Sequence, residues 1–332
     1  MTGAPHLSVI IPCHRSGEAL REQVQALVDQ VDAPRREILL CDNGGNEWLA
    51  AWAESLTGLP EDVELRVVNA LALPGAAYAR NCGIAEARAE LLAFCDDDDL
   101  VHPLWCARAV QALQRHHVVS GGIVTRDEAE LEGMSVTERS RLLILETVDS
   151  PARPIGRGSM GPALMAGNFA AHRNVLLEVG AFDAALVRGA EDNDLGYRLA
   201  AAGVEIVDLG GMSILYRRAS HQRDRLRTLS RAGHALMQAA SARNAWDEVR
   251  ELRTSPVREL ARSAASLGAM MVGARTRDIT GASERLAVAW GLSRGWLRYR
   301  VTGRPHPSMI GAGLDECART EPWPQRADGE TQ

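Results

Sequence analysis

Apolar residues along the first hundred positions follow two alternating rhythms. Leu7 to Ile11 is an unbroken apolar run stopped by Pro12, the pattern of a strand buried on both faces. From Gly17 to Val31 the apolar positions Leu20, Val24, Leu27, Val28 and Val31 recur at helical spacing. The alternation then repeats. Ile38 to Cys41 predicts a second strand, ending in the turn Asp42-Asn43-Gly44-Gly45, and Asn46 to Leu56 predicts a helix. Val63 to Val68 predicts a third strand and Gly75 to Arg88 an Ala-rich helix. Leu91 to Cys95 predicts a fourth strand that runs straight into Asp96-Asp97-Asp98-Asp99. Such βαβ alternation predicts an α/β fold with a mainly parallel sheet and helices on both faces. Ligands of open sheets sit beyond the carboxyl ends of the strands, and Pro12 to Arg15, Asp42 to Gly44 and Asp96 to Asp99 all fall on that edge.

The pattern changes after the acidic run. Pro103 to His116 reads as a helix and Val118 to Val124 as a strand. Arg126 to Met165 combines an acidic region, a short apolar helix around Leu142 to Leu145, and a Pro/Gly/Arg-rich loop from Pro151 to Pro162. A connection of this length is expected to be functional or disordered. A turn at Gly180-Ala181-Phe182-Asp183 leads to Glu191-Asp192-Asn193-Asp194, which opens an amphipathic helix closing near Gly203. Ile206 to Leu209 and Met212 to Tyr216 predict the last strands. Ser220 to about Arg300 reads as helices broken at Pro256 and Gly281, and the tail from Gly303 is expected to be poorly ordered.

Composition narrows the class. At 332 residues, 46% hydrophobic and 24% charged, the chain matches a soluble globular protein with an accessory region, and 4% aromatics implies an aliphatic core. The start MTGAPHLSVI lacks the features of a signal peptide, and no run approaches the roughly 20 apolar residues of a membrane span. A cytoplasmic location follows as the expectation. Cys13, Cys41, Cys82, Cys95, Cys106 and Cys317 show no CxxC pairing and read as buried free thiols. The net charge of −6 is unevenly placed: residues 215 to 304 hold 18 Arg against 7 Asp plus Glu, which leaves −17 for the remainder. An acidic catalytic part and a basic helical part are implied.

Four adjacent carboxylates repel one another unless solvated or neutralised by a cation, and oxygen-only ligands favour Mg²⁺ or Mn²⁺. The plain alternative is a solvated turn after a strand. The acids at Glu191 to Asp194 likewise suit helix capping and dipole compensation, or a general base kept ionised by the helix N-terminus.

In order and spacing these pieces resemble the inverting family-two glycosyltransferases of the GT-A fold, over roughly residues 7 to 218. The resemblance rests on Ser8-Val9-Ile10-Ile11-Pro12, Leu40-Cys41-Asp42-Asn43-Gly44 and Pro74-Gly75-Ala76-Ala77-Tyr78-Ala79-Arg80-Asn81-Cys82-Gly83. Val179-Gly180-Ala181-Phe182-Asp183 and Glu191-Asp192-Asn193-Asp194-Leu195 complete it. It implies a catalytic domain over 1–218, with a nucleotide-binding half of about 1–100 and an acceptor half of about 101–218. A helical region over 219–302 and a disordered tail over 303–332 would follow. The implied activity moves a sugar from a nucleoside-diphosphate sugar to the hydroxyl of a glycan, glycolipid or small metabolite. The implied cofactor is Mn²⁺ or Mg²⁺.

The resemblance also implies roles. Pro12 and His14 would pack on the base and ribose, Asp42 would read the base edge, and Arg80 would lie near base and diphosphate. Asp96 and Asp98 match the outer acids of an Asp-x-Asp motif, the first near the ribose and the last on the metal, with Asp96 a second candidate ligand and Asp97 beside the nucleotide. Asp192 would be the base, positioned by Glu191. Gly167 and Asn168 match loosely the lining of the sugar pocket.

One departure stands out. Where relatives place a His about two dozen residues after the acidic pair, this chain has Leu215-Tyr216-Arg217-Arg218, then His221. Arg217 or Arg218 would contact the diphosphate, with arginine favoured, or His221 would fold back. His116, His117 and His172 lack partners at ligand spacing and read as structural. Region 219–302 would serve as a peripheral membrane contact at the inner face of the cell membrane, or as a cover or dimer interface, and no nucleic acid is expected as partner. Two rival classes remain. A nucleotidyltransferase would carry a Gly-rich phosphate loop, yet residues 12–18 contain only Gly17; an inactive nucleotide-sugar-binding homologue would not need both acidic clusters.

Overall fold

The computed structural model describes residues 4–219, 221–271, 278–304 and 306–315. The first third alternates as its sequence predicts: β1 (Leu7–Cys13), α1 (Glu18–Val28), β2 (Arg36–Asp42), α2 (Glu47–Ser55), β3 (Val63–Asn69), α3 (Ala76–Glu86) and β4 (Leu91–Cys95). All seven residues of β1 are buried, which is why its sequence is apolar without alternation. Next come β5 (Leu100–Val101), α4 (Trp105–Leu113), β6 (Val118–Asp127), α5 (Glu128–Leu131), α6 (Val136–Glu146) and β7 (Arg153–Pro154). Then follow β8 (Asn168–His172), α7 (Arg173–Glu178), α8 (Glu191–Ala201) and β9 (Ile206–Arg218).

The strands form one sheet in the order β3-β2-β1-β4-β8-β6-β9-β5, with β7 also on β9. Pairing is parallel from β3 through β4, and again between β6 and β9. It is antiparallel where β8 enters between β4 and β6, so the sheet is mixed beyond its first half. β8 arrives from the long excursion over residues 128–167 rather than through a helical crossover, and nothing forces it parallel. The two runs expected as separate last strands are one strand, joined through Gly210-Gly211. The excursion is itself structured. Capping boxes at Asp127/Glu130 and Ser135/Glu138 start α5 and α6.

Separate apolar layers cover the two faces of the sheet. One centres on Phe94, stacked on Phe169 at 4.3 Å, with Phe182 edge-on; the other holds Trp105, Leu27 and Ile38. Cys13, Cys41, Cys82, Cys95 and Cys106 are buried free thiols, and Cys317 lies outside the described residues.

The C-terminal region contains α9 (Gln222–Arg243), α10 (Pro256–Met271) and α11 (Ile279–Trp296). Pro256 is the first residue of α10, where its missing N–H costs nothing, and Asp278 caps α11 through the Gly281 N–H. α9 and α11 cross closely at glycines. A Cβ on Gly291 would lie 2.0 Å from the Ser230 carbonyl oxygen, and one on Gly295 2.6 Å from Met237 Cβ. No helix among the described residues is long and apolar enough to cross a membrane.

The expectation of a disordered tail from Gly303 does not hold for residues 306–315. Ile310 bridges to Asp183, the Met309 N–H donates to Asp183 Oδ1 at 2.7 Å, and Asn81 Nδ2 donates to the Ala312 carbonyl at 2.8 Å. Met309, Ala312 and Leu314 pack on the core beneath α3, so this segment buries apolar surface that its Pro/Gly content concealed. Residues 316–332 lie outside the described residues.

Candidate active site

The carboxyl ends of β1, β2 and β4 meet as the strand pattern requires. Cys13 ends β1, and its carbonyl accepts from the Asn43 N–H at 2.8 Å. His14 is exposed at the rim, its Nδ1 3.3 Å from the Asn43 carbonyl, while Pro12 lies buried inside β1 beside Cys41. Asp42 closes the β2 turn: its carboxylate accepts from the N–H groups of Gly44 at 3.1 Å and Asn46 at 3.0 Å. Part of its hydrogen-bonding capacity is therefore already used in starting α2.

Asp97 accepts from the His14 N–H at 3.3 Å and from the Ser16 hydroxyl, which ties the acidic turn to the β1 loop. Asp96 points the other way. Its Oδ1 accepts from Arg80 Nη2 at 2.7 Å, and a Cβ on Gly167 would come within 2.3 Å of its Oδ2. Only glycine at 167 leaves room for that carboxylate. Asn168, by contrast, is fully buried and occupied: Oδ1 accepts from the Trp105 indole at 2.7 Å, and Nδ2 donates to the Gly122 and Met212 carbonyls. It holds the sheet together.

Arg80 joins the two acidic clusters. Its side chain is 3% exposed, and Nη1 donates to Glu191 Oε1 at 3.1 Å while Nη2 holds Asp96. The guanidinium also lies over the Phe182 ring at 5.5 Å. Residues 95 positions apart along the chain thus share one buried cation, at the start of α8. The cap of that helix, Ala190, adopts φ +66°, a left-handed conformation that turns the chain sharply before Glu191.

Asp192 Oδ1 accepts from Asn193 N–H at 2.7 Å and Nδ2 at 2.8 Å, and Oδ2 has no hydrogen bond among the described residues. Burial raises the Asp192 carboxyl above its ordinary range, and the Asn193 bonds and Arg80 oppose this only partly. Burial and the Asp192 charge raise Glu191 also, with Arg80 working against them. Asp194 faces inward instead. Fully buried, it pairs with Arg198 at 2.8 Å and Arg243 at 2.6 Å, and is structural.

Asp98 has no ion-pair partner among the described residues, and its carboxylate accepts from its own backbone N–H. Its tip reaches solvent at the mouth of a cavity of about 580 Å³, shared with Arg139, Arg217 and His221. Desolvation by the surrounding turn and the charges of Asp96 and Asp97 push it up to about 6. Asp99 is 1% exposed, with Oδ1 lacking a hydrogen-bond partner among the described residues, and burial raises it well above the carboxylate range. Carboxylates crowded and unpaired in this way are what a divalent cation relieves. Among the described residues no three His, Cys, Asp or Glu side chains gather as a closed metal site. The donor set therefore fits an ion held by one or two carboxylates and completed by phosphate oxygens, the usual manner of Mg²⁺ at nucleotide sites.

Arg217 faces this mouth. It pairs with Glu22 at 2.6 Å, which also holds Arg139 at 2.6 Å, and its charge opposes the rise of Asp98 and Asp99. Arg218 turns away to Asp127 on the exposed rim. Of the three candidates for the downstream basic group, Arg217 and His221 reach the cavity and Arg218 does not. Sequence reasoning missed Ser16, Glu22 and Arg139. Only the Ser16 position, next to the first strand end, carried any linear signal.

Known glycosyltransferases resemble this chain in sequence and in fold. The family model described as glycosyl transferase family 2 matches residues 8–176. Glycosyltransferase AglE of Haloferax volcanii is 28% identical over 110 residues, 33% of this chain and 36% of that protein. Glycosyltransferase GlyG of Streptococcus pneumoniae is 29% identical over 126 residues, 37% of this chain and 41% of that protein. These matches thus span well under half of either relative. A mannosyltransferase from Pyrobaculum calidifontis, solved with GDP-Man and Mn²⁺, superposes with a TM-score of 0.60 at 18% identity, covering 90% of this chain and 88% of that one.

Proposed function

The chain belongs to glycosyl transferase family 2, and from that premise we propose that it moves a sugar from a nucleoside-diphosphate sugar to an acceptor hydroxyl with inversion. The observation that carries this reading is the meeting of the strand-end acids and the helix-start acids at Arg80. A nucleotide site and a proton acceptor then face one cleft, as a direct displacement needs.

Asp192 takes the acceptor proton through its unpartnered oxygen; its raised pKa brings a carboxylate nearer to the operating pH of a general base. The acceptor oxygen bonds to the anomeric carbon, and the bond from that carbon to the diphosphate breaks, the electron pair leaving with the nucleoside diphosphate. Glu191, held by Arg80, positions Asp192 and the acceptor. His14 and Asp42 would border the base and ribose, with Pro12, buried in β1, ahead of that loop. Asp96 and Asp97 border the nucleotide, and Arg217 faces the diphosphate. Asp98, with Asp96, would hold Mn²⁺ or Mg²⁺, which when bound neutralises charge on the departing diphosphate. The Mn²⁺ and GDP-Man of the archaeal mannosyltransferase support the donor class and the metal. The arginine-rich 219–302 region would cover the catalytic part, as the pairing of Arg243 with Asp183 and Asp194 supports, or form a dimer interface or a peripheral contact with the inner membrane face from the cytoplasm.

Thermal unfolding with a panel of UDP-, dTDP- and GDP-sugars, with and without Mn²⁺, tests the reading. One nucleotide class at 100 times its Kd should stabilise by about 2.7 kcal/mol, raising Tm by roughly 4 °C only with metal present. No shift with any donor, together with no nucleoside diphosphate release, would sink it.

A further inference from the structure

Helices α9, α10 and α11 enclose a groove of about 960 Å³. α11 packs against both other helices and forms the floor, and the groove opens between α9 and α10. Leu226, Leu260, Leu267, Leu286, Ala287 and Trp290 give it an apolar lining, and Trp290 remains 50% exposed. Among the described residues its charged lining has one sign: Arg223, Arg227, Arg231 and Arg294, with no Asp or Glu. Arg227 pairs with Asp224 at 3.5 Å, whereas Arg223, Arg231 and Arg294 make no ion pair or hydrogen bond through their side chains among the described residues. Arg223, Arg227 and Arg231 follow at intervals of four and share one face of α9. An apolar trough rimmed by four guanidinium groups, three of them without an ion pair among the described residues, is complementary to an amphiphile with an anionic, phosphate-type head.

The groove also begins where the candidate active site ends. His221 lines the cavity that contains Asp98 and Arg217, and the next residue, Gln222, lines the groove. From Gln222 to Arg231 the helix advances roughly 14 Å at 1.5 Å per residue, the scale of a lipid tail. We propose that this groove receives the apolar tail of a phosphate-headed lipid that is the acceptor, with its phosphate on the arginine rim and its hydroxyl-bearing end at the carboxylates beside α9. The assignment rests on the transferase reading above and adds the acceptor class to it.

The test uses the full chain and three probes below their micelle concentrations: dodecyl phosphate, butyl phosphate and dodecyl maltoside. Calorimetric titration is expected to give one dodecyl phosphate per chain, bound at least tenfold more tightly than either of the others. Ala287→Trp, which fills the floor, should weaken dodecyl phosphate at least tenfold. Leu226→Gln on the wall serves if the first variant does not fold by circular dichroism. Arg223→Gln with Arg231→Gln should abolish the preference for phosphate over maltoside. With donor and Mn²⁺ present, saturating 1-dodecylglycerol 3-phosphate, which adds an alcohol hydroxyl to the same tail and phosphate, should raise nucleoside diphosphate release at least threefold. Equal affinity for the three probes, several molecules per chain, or unchanged binding in the filled groove would overturn the site. A groove closed by a second copy of the chain, which dodecyl phosphate fails to disperse in sedimentation, would overturn it too. An indifferent release rate would overturn the acceptor assignment. Absence of nucleotide-sugar binding in the wild type is a separate result: it would remove the transferase reading and leave the probe titrations standing on their own.

Discussion

Replacing Arg80 by Met keeps most of the side-chain stem and removes the cation that two acidic clusters share. Breaking a buried ion pair by deleting one partner costs about 3–5 kcal/mol, because the other charge stays behind. The arginine is 3% exposed, but Asp96 is 35% exposed and Glu191 16%, so water can reach both orphaned carboxylates. That places the cost at the lower end, about 3 kcal/mol. With an unfolding entropy of about 2.1 cal/mol/K per residue, 332 residues give roughly 0.7 kcal/mol per degree. Arg80→Met should therefore melt about 4 °C below wild type. A second readout follows from charge. Burial and Asp192 raise Glu191, and Arg80 holds that rise in check, so its loss should push Glu191 higher still. The acid limb of kcat/KM for donor hydrolysis should then move to higher pH. Arg80→Lys, with one ammonium for two carboxylates, should fall between. A variant that melts within 1 °C of wild type and keeps its acid limb would refute the idea that Arg80 couples the two clusters.

Other residues give independent tests. Asp192→Asn should lower kcat by roughly two to four orders of magnitude with donor affinity kept; a loss confined to donor affinity would move the role of base to Glu191. Gly167→Ala would place a Cβ 2.3 Å from Asp96 Oδ2 and displace that carboxylate; Mn²⁺-dependent donor binding should weaken at least tenfold while circular dichroism stays native, and unchanged binding would contradict the packing argument. Burial pushes the Asp183 carboxyl up, but hydrogen bonds from Met309, Ser308 and Ala185 and the charge of Arg243 outweigh it, and the group ends below its ordinary value. Its contribution to stability is therefore present above the unfolded pKa of about 3.9 and is lost as pH falls through the lower folded value. Denaturant titrations below pH 4 should show that loss, and Asp183→Asn should flatten it; the same acid slope in the variant would place it elsewhere.

The sequence made the first half of the molecule legible because β1 and β2 are buried almost throughout and α1 is amphipathic. Leu7 to Ile11 and Leu20 to Val28 could hardly be read otherwise, although Val31, expected to continue the helix, lies beyond α1 and is exposed. The second half resisted because β8 and β6 pair antiparallel across a 40-residue excursion, and no local period encodes such a partner. At the site, Asp96 to Asp99 and Glu191 to Asp194 were visible as charge runs, but a run does not say which member does what. Asp194 and Asp99 look like their neighbours in the sequence, yet one is locked by Arg198 and Arg243 and the other is buried. Glu22, which holds Arg217 and Arg139, belongs to an ordinary helical pattern and only folding gives it meaning. The tail misled for a related reason: Met309 and Leu314 are too few to form a period, and they are buried by a surface the rest of the chain builds.

The most direct test of the central claim follows the anomeric carbon. Wild type and Asp98→Asn are incubated with Mn²⁺ and the nucleotide sugar selected by the thermal panel, and proton NMR reads the configuration of the transferred or released sugar at early times. Wild type should give inverted configuration and lose its product on chelation, and a folded Asp98→Asn should make almost none. Retained configuration, or wild-type turnover by Asp98→Asn in chelator-treated buffer, would contradict that claim.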